Sequence, residues 1–278
     1  MKNLLTIKAA LLSLIIFLFF LAIWHTATRP VVKPVAQKSE YQQLMGASDN
    51  KQDGLPSPWQ VAQTIKKNLS DPFYDRGPND KGVGLQVGYS LARVAGGFLL
   101  AAVVAIPLGF MIGMSPLLYK ALNPFIQILK PISPLAWMPL ALYTIKDSAT
   151  SAIFVIFICS IWPMLINTAY GVASVKNEWI NVARTLEVGI MRKALLVILP
   201  AAAPTIMTGM RISMGIAWLV IVAAEMLVGG TGIGYFVWNE WNNLSLNNVI
   251  FAILMIGFVG MVLDLLFGML QRYVTYVE

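Results

Sequence analysis

Residues 181–225, NVARTLEVGIMRKALLVILPAAAPTIMTGMRISMGIAWLVIVAAE, change solvent part-way along. The first half carries Arg184, Glu187, Arg192 and Lys193. Past Leu199 and Pro200 the chain becomes an apolar helix whose only charges are Arg211 and Glu225. A polar segment leading directly into an apolar run long enough to cross a bilayer marks a membrane protein that presents a structured surface to the aqueous phase.

Composition carries the same message over the whole chain. Of 278 residues, 58% are hydrophobic and 12% charged, against roughly 25% charged in soluble domains. The single cysteine, Cys159, lies in an apolar run and excludes a disulfide framework. The single histidine, His25, cannot supply the ligand set of a zinc or non-haem iron site. The formal charge of +7 is dispersed, with no basic stripe interleaved with aromatics, so it does not point to nucleic acid. Lys and Arg collecting in cytoplasmic loops explain it better, and a cation left near a pore would attract an anionic solute.

Outward from the opening stretch, the apolar runs predict six membrane-spanning helices. Residues 9–24 follow Lys2 and Lys8 and read as a transmembrane helix rather than a cleaved signal, because no small-residue cleavage pattern is clear. Residues 1–26 therefore form an N-terminal span, and residues 27–87 an extracytoplasmic loop in which 59–69 alternates apolar and basic positions like a helix lying on the bilayer surface. The rest, 88–278, forms a five-helix core. Its second span is 90–114, where Gly109 and Gly113 have the spacing that permits close helix contact or simply the glycine usage of membrane helices. A short inner turn at 115–120 leads to the third span, 121–145. Pro124, Pro131, Pro134 and Pro139 predict that this helix is broken.

The fourth span is 148–170. The polar stretch 171–192, within a coupling segment 171–200, has room for two short helices parallel to the membrane. The fifth span is 201–228. A Gly-, Asn- and Trp-rich scoop follows at 229–248, and the sixth span is 249–270. The short inner loops hold Lys120, Lys176, Arg184, Arg192, Lys193 and Arg272, whereas the short outer connections hold only Lys146, which places both termini in the cytoplasm.

Intramembrane enzymes place a serine with His or Lys, paired aspartates, or a His-Glu-x-x-His site at matched depth. None of these patterns occurs, and no Gly-x-x-x-x-Gly-Lys-Ser/Thr loop is present to cradle a nucleotide. The chain is expected to be non-catalytic. A secondary transporter would show inverted repeats with paired interrupted helices, and no such repeat is evident.

The opening stretch resembles the coupling motif of ABC-transporter permeases: Glu-Ala-Ala, three residues, Gly, nine residues, an aliphatic residue, any residue, Leu, Pro. With Pro200 ending the pattern, Leu199, Val197 and Ala183 are in register, while Asn181, Val182 and Glu187 replace the Glu, first Ala and Gly. SPLAWMPLAL (133–142), IFICSIWPMLINTAYGV (156–172) and PTIMTGMRISMGIAWLVIVAAEML (204–227) resemble the nitrate, sulfonate and taurine branch of these permeases. LPSPWQV, DPFYDRGPNDKG and GGTGIGYFVWNEWNNL are similar to its nitrate/nitrite permeases and their bicarbonate and cyanate relatives.

This resemblance implies an all-α, six-helix bundle of the type I (MetI-like) importer kind in a bacterial inner membrane. It further implies a second copy of the chain, two cytoplasmic ATP-binding subunits carrying ATP and Mg, an extracytoplasmic substrate-binding protein, and a small anion as cargo. The helix formed by Asn181, Val182, Ala183, Arg184, Thr185, Leu186, Glu187, Val188 and Gly189 would dock on the ATPase. Val182, Leu186 and Val188 would make its apolar contacts, and Arg184 and Glu187 its polar ones.

Candidates for the anion path are Ser133, Trp137, Asn167, Thr208 and Trp218 as N–H or hydroxyl donors and aromatic edges, with Lys130, Arg211 and Glu225 as intramembrane charges. Lys130 faces either the bundle interior or an interface. Arg211 lies near the inner end and reaches for the interface. Glu225, near the outer end, either pairs with a cation such as Arg93 or holds the scoop by accepting backbone N–H groups.

Overall fold

A computed structural model of the chain describes residues 2–28, 55–77 and 80–274. Among these residues the secondary structure is helical apart from one isolated bridge between Asp75 and Lys81. Five helices are long and apolar enough to cross a membrane, and a sixth crossing is formed if one bent pair counts as a single span. The chain divides into two compact units, Met1–Asp71 with Glu240–Phe251, and Pro72–Asn239 with Ala252–Glu278.

In the smaller unit, helix α1 (Lys2–Ala27) is apolar along its length, and Trp24 Nε1 donates to the Pro56 carbonyl at 3.0 Å. Helix α2 (Pro58–Ser70) starts on a capping box. Ser57 Oγ accepts from the Gln60 amide, Gln60 Oε1 accepts from the Ser57 amide at 2.8 Å, and Pro58 occupies a position where its missing N–H costs nothing. A helix is thus present where 59–69 predicts one, with one more residue at each end. Most of the loop around it, 29–54, lies outside the described residues.

The larger unit is built on α3 (Val83–Met114), α6 (Ser148–Ala173) and α9 (Leu199–Val228), with α6 packed against both of the others. Its tight seam with α3 is a row of small residues at every fourth position: Gly97, Ala101, Ala105, Gly109 and Gly113. A Cβ added at Gly109 would lie 2.7 Å from the Leu165 carbonyl oxygen, and one at Gly113 would lie 2.5 Å from that of Ala169. The glycine pair is therefore contact surface. Asp147 caps α6, and hydrogen bonds from Thr150 hold its carboxyl below the ordinary carboxylate range.

Several boundaries differ from the sequence expectation. α3 begins at Val83 rather than 90. The inner turn 115–120 shrinks to one residue: Ser115 ends α3 and caps α4 (Pro116–Leu129), accepting from the Leu118 amide at 3.3 Å. Lys120 consequently lies on a helix and not in a loop. The third span is broken as its prolines predict, α4 and α5 (Pro134–Ile145) meeting at 91°. Only Pro131 and Pro134 make the break, while Pro124 and Pro139 are absorbed inside helices.

The fifth span does not begin after Pro200. Helix α8 (Ile190–Lys193), a π-helical turn at Ala194–Ile198 and α9 run on as one element of 39 residues. The π turn, closed by the Leu199 amide on the Ala194 carbonyl, re-routes the hydrogen bonding next to a proline that has no N–H to give. At ~1.5 Å per residue such an element is about 58 Å long, well beyond a hydrocarbon core of about 30 Å, so part of it stands clear of the lipid tails. Helices α10 (Ile233–Asn242) and α11 (Leu246–Val274) complete the chain.

Candidate functional site: a coupling face and intramembrane polar groups

Helix α7 (Asn177–Thr185) contains only the first part of the expected docking helix, because Leu186 to Gly189 form its exit turn. The stop is a Schellman motif: the Val188 amide donates to the Ala183 carbonyl at 3.0 Å, and the Glu187 amide to Arg184 at 2.9 Å. Such a turn needs one left-handed residue, and Glu187 supplies it at φ 50. The helix has two faces. Ala183 is buried, and Ile180 packs on the cluster of Val172, Val175, Ile198, Ala202 and Ile206. Val182 (59% exposed), Leu186 (70%), Ile190 (74%) and Met191 (72%) point away from it. Asn181, Arg184, Thr185, Glu187 and Gly189 are exposed among them, with Val188 half-buried.

Within the spans, Glu225 is buried and fully committed. Its carboxylate accepts from Arg93 Nη1 at 2.7 Å, Ser90 Oγ at 2.8 Å and the Gly234 amide at 3.0 Å. Arg93 also donates to the Thr231 carbonyl, Gln86 Oε1 accepts from the Gly232 amide at 2.6 Å, and Ser90 Oγ accepts from the Ile233 amide at 2.9 Å. Gly232 is required here: at φ +155, a Cβ on it would lie 2.1 Å from the Glu225 carboxyl carbon. Both sequence readings of Glu225 hold together, since it pairs with Arg93 and clasps the entry to α10.

Arg211 forms a two-pronged ion pair with Asp264 on α11, Nε to Oδ1 at 2.6 Å. Thr208 donates to the Pro204 carbonyl and accepts from Gln271 Nε2 at 2.9 Å. Trp218 is buried and donates to the Ile256 carbonyl at 2.9 Å. Asn167 donates to the Pro163 carbonyl at 2.8 Å, and Ser133 caps α5 through the Leu135 amide. Trp137 is half-buried on α5. Each of the hydrogen-bonded groups thus has a partner that holds one helix to itself or to another.

A cavity of about 490 Å³ lies beside α4. Lys120, Asn123, Gln127 and Lys130 line one side, Ile112, Gly113, Leu165, Ile166 and Ala169 the other, and Tyr119 and Tyr170 contribute phenol rings. Of the expected path residues, only Lys130 borders it.

A family model described as "Binding-protein-dependent transport system inner membrane component" matches residues 105–275, which include all of α4 through α11. The chain belongs to this family of ABC permeases. The permease is 46% identical over 81% of its length to "Nitrate import permease protein NrtB" of Synechocystis sp., covering 82% of that protein. It is 43% identical over 80% of its length to "Bicarbonate transport system permease protein CmpB" of the same organism, also covering 80%. Its fold is shared with the MetNI methionine ABC transporter in an inward-facing conformation: TM-score 0.62 at 15% identity, covering 69% of this chain and 95% of that one.

Lys120, Asn123 and Gln127, which border the permease's cavity, are not grouped in the sequence analysis. Their signal was present: 120, 123, 127 and 130 are spaced three, four and three apart in an otherwise apolar run. That spacing puts them on one helical face once Lys120 is helical rather than in the expected inner turn. Asp264 as the partner of Arg211 has no local signal, because the two are 53 residues apart.

Proposed function

We propose that this permease imports nitrate or nitrite, working as a homodimer with two cytoplasmic ATPase subunits and an extracytoplasmic binding protein. The observation that carries the substrate is the 46% identity to nitrate import permeases over 81% of the chain. Bicarbonate is the second reading, favoured by the 43% identity to the bicarbonate permeases. The chain would lie in a bacterial inner membrane with both termini in the cytoplasm, and ATP and Mg would be held by the partner subunits.

The transmission surface is α7 with its exit turn. Val182, Leu186 and Val188 enter an apolar groove of the ATPase, and Arg184 and Glu187 set the register. The inner face of α7, seated through Ala183 and Ile180, ties that surface to the start of α9 through the π turn. Closure of the ATPase pair then moves α7 and α9 as one lever, a rigid-body change between two packed states. The direct experiment is ATP hydrolysis by the reconstituted complex, stimulated in turn by binding protein loaded with nitrate, nitrite, bicarbonate or cyanate. Nitrate or nitrite should stimulate, and stimulation by bicarbonate alone overturns the substrate. Leu186→Asp should detach or uncouple the ATPase in the same assay, and full transport by that variant counts against the docking face.

A further inference from the structure

We propose that the cavity beside α4 is an oxyanion vestibule, in which the transported anion is held by Lys120, Asn123, Gln127 and Lys130; this rests on the anion-import reading above. The cavity's lining contains two lysines and no acidic residue. Elsewhere in the spans Arg93 is matched by Glu225 and Arg211 by Asp264. Among the described residues, no hydrogen bond or ion pair engages the side chains of Lys120, Asn123, Gln127 or Lys130. Lys120 and Lys130 are exposed on a bent membrane segment, and an ammonium at membrane depth is costly unless water or an anion meets it. The apolar wall of Ile112, Leu165 and Ile166 makes the region one that focuses positive potential.

The spacing suits a path rather than a single trap. Lys120 and Lys130 are ten positions apart, about 15 Å along the helix. An ion at either end therefore meets one ammonium and a neighbouring amide, and Asn123 and Gln127 bridge the interval. Two weak stations in series let an ion enter and also leave. Amide N–H groups suit a planar, weakly hydrated oxyanion, which needs directional donors more than full neutralisation. The phosphate of an anionic lipid presents the same chemistry, and the experiment has to separate these two sources.

The complete transporter, with its binding protein, is reconstituted in phosphatidylcholine vesicles and in vesicles enriched in phosphatidylglycerol, and nitrate moved per ATP hydrolysed is measured. Lys120→Gln and Lys130→Gln should each lower that ratio about tenfold in both vesicles, as expected for one lost charge-assisted contact. Lys→Arg at either position should restore most of it. An unchanged ratio overturns the vestibule, and a loss confined to phosphatidylglycerol vesicles assigns the site to lipid phosphate instead. A labelling experiment holds whatever the cargo is. In a Cys159→Ala complex, Gln127→Cys should react faster with an anionic than with a cationic methanethiosulfonate, and nitrate should protect it. If the parent complex moves neither nitrate nor nitrite, the import reading fails, and protection by bicarbonate or a sulfonate still upholds the site. Equal reaction rates with the two reagents overturn it.

Discussion

Glu187 occupies a left-handed backbone position, φ 50, where the related coupling motif has glycine. The conformation costs a residue with a Cβ about 1–2 kcal/mol, whereas glycine forfeits about 0.5–1 kcal/mol of unfolded-chain freedom. Glu187→Gly should therefore raise stability by up to about 1 kcal/mol, seen as a higher midpoint of thermal unfolding in detergent. A lower midpoint would mean that the carboxylate itself makes a stabilising contact. Register alone reveals that Glu187 departs from the pattern; what the backbone does there depends on two hydrogen bonds closing the end of α7. Arg93 and Glu225 were legible as a pair because a buried carboxylate needs a cation. Thr208, Asn167 and Trp218 were legible only as polar residues in apolar helices, a description that fits an anion path and a helix contact equally well.

At the scale of the element, the α3–α6 seam turns on glycines that cannot be replaced. Gly109→Ala should force α3 and α6 apart, because the new Cβ would lie 2.7 Å from the Leu165 carbonyl oxygen and from Thr168 Cβ. The expected loss is on the order of 1–3 kcal/mol, as for other overpacked contacts. Gly215→Ala on α9 is the control, since nothing lies within 4 Å of a Cβ there, and it should be neutral or gain up to about 1 kcal/mol. Equal shifts in the unfolding midpoints of the two variants would contradict the seam. The apolar helices were legible from composition, but their ends were not. Hydropathy marks where lipid stops, whereas a helix stops where its backbone hydrogen bonds stop, so α3 and the element containing α9 overrun the bilayer-sized windows. Pro200 does not open the fifth span, because a π turn accommodates it, and of the four prolines in the broken third span Pro124 and Pro139 lie within helices.

For the whole molecule, the α4–α5 pair decides the topology. Counted as one crossing, it makes six among the described residues, and an even number returns the chain to the side on which it began. Lys8→Cys and Arg272→Cys, each in a Cys159→Ala chain, should both be blocked by an impermeant thiol reagent only from the inner face. Labelling from opposite faces would leave the bent pair as a re-entrant segment with five crossings. The matching of charge within the spans has an electrical meaning. Moving one elementary charge through 100 mV is worth about 2.3 kcal/mol, and an anion entering a negative interior climbs that slope. Arg93 with Glu225 and Arg211 with Asp264 are neutral pairs, so helices that move with both partners carry no gating charge. The membrane field then acts on the cargo, and the motion of these two ion pairs adds nothing to the voltage dependence of the cycle.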